Sequence, residues 1–163
     1  MSKQHIHVRA VPLPQASQLT AYLERGDFVD CYAAPASIGP RRAAEIVVAF
    51  PAWAQLLLRL RRVLTAPFGL SNDGPEAADK LGPFPVEVET EDEVIAGFDD
   101  RHLDFRVSVM SRDGAVSLAT WVRPHNLAGR GYLAAIMPFH ILIARDAVAR
   151  VARAAPAIPE PSP

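Results

Sequence analysis

The stretch FPVEVETEDEVIAGFDDRHLDFRVSVMSRDGAVSLATWVRPH, residues 84–125, decides the fold of this chain. Apolar and polar residues alternate along it, which is typical of strands that bury one face. Three turn signals interrupt the alternation, namely Glu91-Asp92, Asp99-Asp100-Arg101 and Asp113-Gly114. The pattern therefore predicts a meander of four antiparallel strands.

The Asp113-Gly114 turn determines how the last two strands of the meander pair. If these residues form a two-residue hairpin loop, Arg112 lies opposite Ala115 and the remaining register follows from strand geometry. One face of the sheet is then apolar, and we expect its side chains to face the last helix. This face carries Leu103, Phe105, Val107, Val109, Leu118, Thr120 and Val122, and a turn at Asp100-Arg101 adds Val94, Ala96 and Phe98.

The opposite face gathers charged and aromatic residues, which we call the polar sheet-face cluster. Its members are Asp99, His102, Asp104, Arg106, Trp121, Arg123 and His125. The predicted cross-strand pairs are His102 with His125, Asp104 with Arg123, and Arg106 with Trp121. The cluster is either a solvent-facing surface whose ion pairs contribute about 0.2–1 kcal/mol each, or a polar binding or acid–base site. In the second interpretation His102 exchanges protons with the help of Asp99 or His125.

The residues before the meander predict one strand and two helices. Residues 27–34 alternate and indicate a first strand, while Gly39-Pro40 and Pro51 are typical starts of helices over residues 39–50 and 51–64. We expect the second helix to pack on the core through one apolar stripe, with its arginines in solvent. The stripe consists of Trp53, Leu56, Leu57, Leu60 and Leu64, and the arginines are Arg59, Arg61 and Arg62.

A long final helix is predicted over residues 126–153. Asn126 can cap its start, and we expect Pro138 to kink it. Its apolar face carries Leu133, Ile136, Met137, His140, Ala144, Ala147, Val148 and Val151. His140 is thus either a hydrogen-bonded core histidine or a functional group.

These elements predict an α+β fold in which an antiparallel sheet of about five strands wraps round the long, kinked C-terminal helix. Residues 1–155 are expected to form a single domain, since the chain is short for two. The Pro-rich residues 156–163 are expected to be a disordered tail.

Composition and charge argue against several classes of protein. Lys and Arg number 17 against 18 Asp and Glu, so no overall positive field attracts nucleic acid or anionic lipid. Cys31 is the only cysteine, which excludes an intramolecular disulfide and favours a cytoplasmic location. The most apolar run, residues 132–144, is too short to span a bilayer. The sequence contains no HExxH motif or dinucleotide fingerprint, and we expect no metal and no cofactor.

Three segments together resemble a known bacterial family. They are GPFPVEVETEDEVIAGFDDRHLDFRVSV, WVRPHNLAGRGYLAAIMPFHILIAR and LLLRLRRVLTAPFGL, which lie within residues 27–153. In this order they are similar to the domain of unknown function 2867, a family with no assigned activity. The resemblance implies a START-like or polyketide-cyclase-like helix-grip fold, in which a curved sheet holds a C-terminal helix around an apolar cavity.

Three hypotheses about function remain open. The leading one is a binding module for a small apolar or amphipathic ligand, held by Phe105, Val107, Met137 and His140. The second is a noncovalent acid–base enzyme of the cyclase or isomerase type, with His102, Asp104, Arg106, His125 and His140 as candidate catalytic residues. The third is a structural module that forms a homodimer through the sheet face carrying Trp121.

Overall fold

The computed structural model describes residues 6–69 and 74–157. Within them the chain forms three α-helices and one sheet of seven strands. The helices are α1 (Pro40–Val48), α2 (Ala52–Thr65) and α3 (Leu127–Ala154), and short 3-10 helices cover Gln18–Tyr22 and Ala66–Phe68. The strands are β1 (Arg9–Ala10), β2 (Phe28–Pro35), β3 (Lys80–Leu81), β4 (Phe84–Glu89), β5 (Glu93–Asp99), β6 (Leu103–Arg112) and β7 (Ala115–Pro124).

The strands form one antiparallel sheet in the order β1-β2-β7-β6-β5-β4-β3. Strand β2, the first long strand, therefore lies beside β7, the last one, while β4 to β7 follow one another as a meander. The predicted α+β class and the four-stranded meander are confirmed. The sheet has seven strands instead of about five because β1 and β3, each two residues long, are too short to leave a sequence pattern.

The predicted register of β6 and β7 is confirmed, with Arg112 opposite Ala115. Asp113 and Gly114 have φ angles of 52° and 71°, as the two central residues of a type I′ hairpin turn require. The preceding turn was predicted one residue too early. Asp99 pairs with Asp104 and not with His102, since the backbone N–H of Asp100 bonds the carbonyl of Leu103. The pairing partner of Asp99 thus moves by two residues, from His102 to Asp104. Because this shift is an even number of residues, no side chain changes face.

The main core lies between α1, α3 and the sheet face that these helices cover, which we call the helix face. Helix α3 begins after Asn126, whose side chain accepts a bond from the Gly129 N–H at 2.9 Å. Only the C-terminal half of α3 is well buried there, through Ala144, Ala147, Val148, Val151 and Ala152. The helix continues through Pro138, and most of the predicted Pro-rich tail lies outside the described residues.

The opposite side of the sheet, the back face, is covered by the chain's own N-terminal segment, residues 11–27. Leu19 is fully buried there against a cluster that includes Cys31, Ile95 and Trp121. Glu93, which is 1% exposed, accepts bonds from the Ser17 and Ser108 hydroxyls at 2.5 Å and from the Gln18 N–H at 2.8 Å. A buried carboxylate with three donors joins the segment firmly to the sheet.

Helix α2 differs from the prediction. Trp53, Leu56 and Leu60, which were expected in the core, are 42%, 65% and 52% exposed. Ala54 and Thr65 are buried instead, so the helix is rotated away from the predicted stripe. Nothing in the sequence says which side of an amphipathic helix a neighbour will cover, and α2 lies over a cavity and not over a packed core.

By length and composition α3 could cross a membrane, as could the bent pair of α1 and α2 if taken as one span. A helix from a protein core passes the same test, and α3 packs its C-terminal half on the sheet. The structure gives no positive evidence of a membrane span.

Candidate functional site

A cavity of about 920 Å3 lies between the helix face of the sheet, α2 and the N-terminal half of α3. The sheet supplies its floor, because alternate residues of β6 and β7 point to this side. The floor consists of Leu103, Phe105, Val107, Leu118, Thr120 and Val122. These are residues of the predicted apolar face, so the strand pattern located the floor correctly.

Helices α2 and α3 form the other walls. Leu57 and Leu58 of α2 and Leu133, Ile136 and Ile143 of α3 line the cavity. The two helices meet where Tyr132 accepts a hydrogen bond from the guanidinium of Arg61, which also lies 5.2 Å from the centre of that ring. The lining is mainly apolar, with a few polar residues among them.

A histidine–carboxylate pair interrupts the apolar wall. The Nε2 atom of His140 lies 2.9 Å from Oδ2 of Asp30, and the edge of the Phe28 ring packs against the imidazole at a centroid distance of 6.1 Å. His140 lines the cavity, and Asp30 is opposite Thr120, which also lines it. Both members of the pair are largely shielded from solvent, with 20% and 17% of their side chains exposed.

Each member of this pair has one polar atom without a hydrogen-bond partner among the described residues. Oδ1 of Asp30 is buried and has no hydrogen-bond partner among the described residues. Nδ1 of His140 likewise has no hydrogen-bond partner in the described part of the chain. Because a buried polar group without a partner is costly, Oδ1 of Asp30 is suited to a bound water, while Nδ1 belongs to the residue of the pair that lines the cavity and is suited to a bound molecule.

Asp30 also affects its neighbour on β2. Burial, with Asp30 as a second cause, raises the pKa of the Tyr32 hydroxyl, and the guanidinium of Arg145 lies 5.6 Å from the centre of that ring. Tyr32 therefore remains neutral at physiological pH and acts as a hydrogen-bonding group next to the pair.

Of the residues predicted to hold a ligand, Phe105, Val107 and His140 line the cavity. Met137 is not among the lining residues, since this part of the wall is formed by Ile136, Phe139 and His140. One residue along a helix turns a side chain by about 100°, so a stripe drawn from sequence easily includes a residue at its margin.

The polar sheet-face cluster lies on the back face, away from the cavity. Arg106 is 6% exposed, and its Nε and Nη2 atoms bond Glu87 at 2.7 Å and Asp99 at 2.9 Å. The Tyr22 ring of the N-terminal segment covers its guanidinium at 5.5 Å. The interpretation of an open, solvent-facing surface is therefore wrong at Arg106.

Trp121 is buried under the same segment. It is 2% exposed, and its indole N–H donates to Asp27 at 2.8 Å. Arg123 donates to both Asp27 oxygens, at 3.1 and 2.9 Å, and this guanidinium lowers the pKa of Asp27. Trp121 thus offers no exposed surface for a homodimer.

The two histidines of the cluster lie opposite each other at the end of the hairpin, as the register predicts. The N–H of His125 bonds the carbonyl of His102 at 2.9 Å. Nε2 of His125 lies 2.9 Å from Asp104, and this hydrogen bond raises the pKa of His125. His102 lies 3.1 Å from the Asn126 amide through Nδ1. Neither histidine lines the cavity, so the structure separates them from His140.

Two further chemistries gain no support from the structure. Burial raises the pKa of the Cys31 thiol to about 11, so it is not a thiolate nucleophile at neutral pH. Among residues 6–69 and 74–157, no group of three or more His, Cys, Asp and Glu side chains could hold a metal ion.

Sequence reasoning missed Asp30, the partner of His140. The signal was present, because Asp30 stands between Phe28 and Tyr32 in the alternation of β2, which puts an acid on the same face as two aromatic residues. A charged residue at an inward strand position is a candidate for function.

Comparison with known proteins identifies a family to which the chain is similar. The sequence profile of a family described as protein of unknown function (DUF2867) matches residues 22–147, more than half of the chain. The match runs from the end of the N-terminal segment through the meander and into α3, and includes Asp30 and His140. No curated protein and no solved structure matches the chain.

Proposed function

We propose a function from the cavity itself, because the chain belongs to the DUF2867 family, whose description assigns no activity. The protein is a binding module for a small apolar or amphipathic molecule, which it holds between the sheet, α2 and α3. The observation that carries this proposal is the cavity of about 920 Å3 with its mainly apolar lining. Small-molecule sites typically measure about 300–1,000 Å3 and combine apolar walls with a few polar groups.

The topology supports the START-like helix-grip fold that the family resemblance implies. The first long strand pairs with the last, the meander completes the sheet, and the C-terminal helix crosses its face. In such an arrangement the open half of the helix, residues 127–143, leaves space over the sheet. The C-terminal half of the helix, in contrast, packs its side chains on the sheet.

The His140–Asp30 pair gives the ligand its expected chemistry. A molecule with an apolar body and one hydroxyl, carbonyl or acidic group fits a mainly apolar cavity that has His140 in its wall. The body would replace water on the floor around Phe105 and Val107, and the polar group would bond Nδ1 of His140. Burial of apolar surface contributes roughly 25 cal/mol for each Å2 removed from water.

Native mass spectrometry of the protein purified without detergent from its own host tests this function. The wild type should carry a noncovalent small molecule. Val107→Phe adds a ring to the cavity floor and should lose the molecule, whereas Val63→Phe, the same exchange at a position that is 71% exposed and does not line the cavity, should keep it. Equal occupancy in all three proteins would contradict the proposal.

A second candidate function, noncovalent acid–base catalysis, is favoured by the same pair. His140 would take a proton from the bound molecule on Nδ1, while the Asp30 carboxylate accepts the Nε2–H bond and stabilises the imidazolium. The proton would return to another atom of the same molecule, which gives an isomerisation. This candidate uses only His140 among the five catalytic residues predicted from sequence.

Incubation of the recovered molecule in D2O separates catalysis from binding. An enzyme of this type should introduce deuterium into the molecule faster than buffer does, and His140→Gln should abolish that exchange while the molecule still binds. Binding without any exchange in the wild type would support a binding function and contradict this catalytic function.

A further inference from the structure

Helix α2 presents a stripe of large apolar side chains to solvent. Trp53, Leu56, Leu60 and Val63 are 42%, 65%, 52% and 71% exposed. At about 100° per residue they fall within an arc of roughly 80° on one side of the helix. We call this arc the α2 apolar stripe. Single exposed apolar residues are ordinary, but four of them aligned along one helix indicate a surface that something covers.

The stripe continues to the mouth of the cavity and onto α3. Leu60 of α2 and Phe139 of α3 are about half exposed and also line the cavity, so they stand at its opening. Leu142, on the next turn of α3, is 59% exposed. Only 11% of the most apolar 18-residue window of α3 is buried. The cavity therefore opens between two helices that both expose apolar side chains.

The charged residues of α2 are all basic, although the acidic Glu76 also lines the cavity beside them. Helix α2 contains Arg59, Arg61 and Arg62 and no acidic residue, and α3 carries Arg130 but no acid before Asp146. Arg59 and Arg62 are exposed and have no ion-pair partner in the part of the chain that the structure describes. The nearly neutral net charge of the chain thus conceals a local basic region around the cavity mouth.

We propose that the α2 apolar stripe docks on the surface of an anionic lipid bilayer. A helix with Trp and Leu on one side and arginines beside them is the type that lies in the interface between headgroups and acyl chains. The stripe enters the acyl boundary, Arg59 at its margin contacts anionic headgroups, and the cavity mouth faces the apolar interior. An apolar molecule can then pass between bilayer and cavity without crossing water.

A second copy of the chain fits this surface less well. In a two-fold symmetric dimer the same patch meets itself, so the arginines of both copies would come together without acidic partners on α2. An anionic bilayer supplies the opposite charge and an apolar layer in one surface. Dimerisation through α2 is therefore an outcome that the test must be able to detect.

Trp53 makes the docking directly observable. The chain has two tryptophans, and the other, Trp121, is 2% exposed on the back face. Vesicles of phosphatidylcholine with phosphatidylglycerol should therefore shift the emission of Trp53 to the blue while Trp121 contributes a constant background. The protein should also sediment with these vesicles, and high salt should weaken its binding.

A double and a single variant separate the apolar and the charged contributions. Leu56→Ser with Val63→Ser, at exposed positions that do not line the cavity, should weaken vesicle binding at least about tenfold without lowering the melting temperature. Arg59→Gln should weaken binding to anionic vesicles roughly fivefold and leave binding to pure phosphatidylcholine unchanged.

The docking is independent of the ligand proposed above, and one variant keeps the two apart. Val107→Phe fills the cavity floor but leaves α2 untouched, so it should bind vesicles as the wild type does. The proposal is overturned if the wild type does not sediment with anionic vesicles, or if the serine variant sediments as well as the wild type. It is also overturned if the Trp53 shift follows protein concentration without vesicles, because the stripe then serves self-association.

Discussion

Replacing Gly129 with alanine should destabilise the protein, whereas the same replacement at Gly131 should stabilise it. Both glycines lie in the first turns of α3. An added Cβ at Gly129 would lie 2.2 Å from the carbonyl oxygen of His102 and 3.4 Å from Cβ of Pro124. At Gly131, which is exposed, it would meet nothing within 4 Å.

The magnitude follows from two opposing effects. Alanine in a helix interior is favoured over glycine by about 1 kcal/mol at either site. At Gly129 the distance between the added Cβ and the His102 oxygen must increase by roughly 1 Å to reach an ordinary C–H···O contact distance. The His102 carbonyl cannot retreat freely, because it also accepts the bond from the His125 N–H at 2.9 Å. Overpacking costs about 1–3 kcal/mol, and a contact this short with a backbone oxygen belongs to the upper half of that range, about 2–3 kcal/mol.

We therefore expect Gly129→Ala to lose about 1–2 kcal/mol of unfolding free energy and Gly131→Ala to gain up to about 1 kcal/mol. Urea unfolding followed by circular dichroism measures both, with the wild type as reference. Thermal unfolding should show the same order, since each kcal/mol corresponds to about 2–4 °C at this chain length. If Gly129→Ala is as stable as the wild type, the start of α3 does not pack on the start of β6, and the cavity wall is misplaced.

Three further predictions concern titrating groups. Asp27→Asn removes the charged bonds to Arg123 and should cost about 2 kcal/mol at neutral pH. Because the pKa of Asp27 is lowered in the fold, this difference should be present above about pH 4 and disappear in stronger acid, as pH-dependent urea unfolding would show. His125 has a raised pKa through Asp104, so the wild type should be more stable than His125→Gln below about pH 6.5, and the advantage should vanish as the pH rises through the folded pKa. Cys31, with a pKa of about 11, should react with iodoacetamide at pH 7.5 only after urea unfolds the protein, and rapid alkylation of the native protein would contradict its burial.

The meander could be predicted from sequence because its determinants are local. Asp113-Gly114 admits the positive φ angles of a tight hairpin, and alternation then assigns every residue of β6 and β7 to a face. This was enough to place Phe105 and Val107 on the cavity floor.

What covers each face could not be predicted, because it depends on residues distant in sequence. The back face looks polar from β6 and β7 alone, yet it is buried by residues 11–27, whose Ser17 bonds Glu93 76 positions away. Helix α2 shows the reverse case. Its periodicity defines an apolar side, but only the tertiary arrangement shows that this side remains exposed beside the cavity.

The proposal that the cavity beside His140 is the functional site can be tested by nuclear magnetic resonance of the histidine rings. The small molecule recovered from the host is titrated into 15N-histidine-labelled protein, and the ring resonances of His102, His125 and His140 are followed separately. We expect a saturable shift of the His140 ring nitrogens with His102 and His125 unchanged, because of these three histidines His140 alone lines the cavity. Shifts at His102 and His125 with His140 unchanged would instead place the site on the back face.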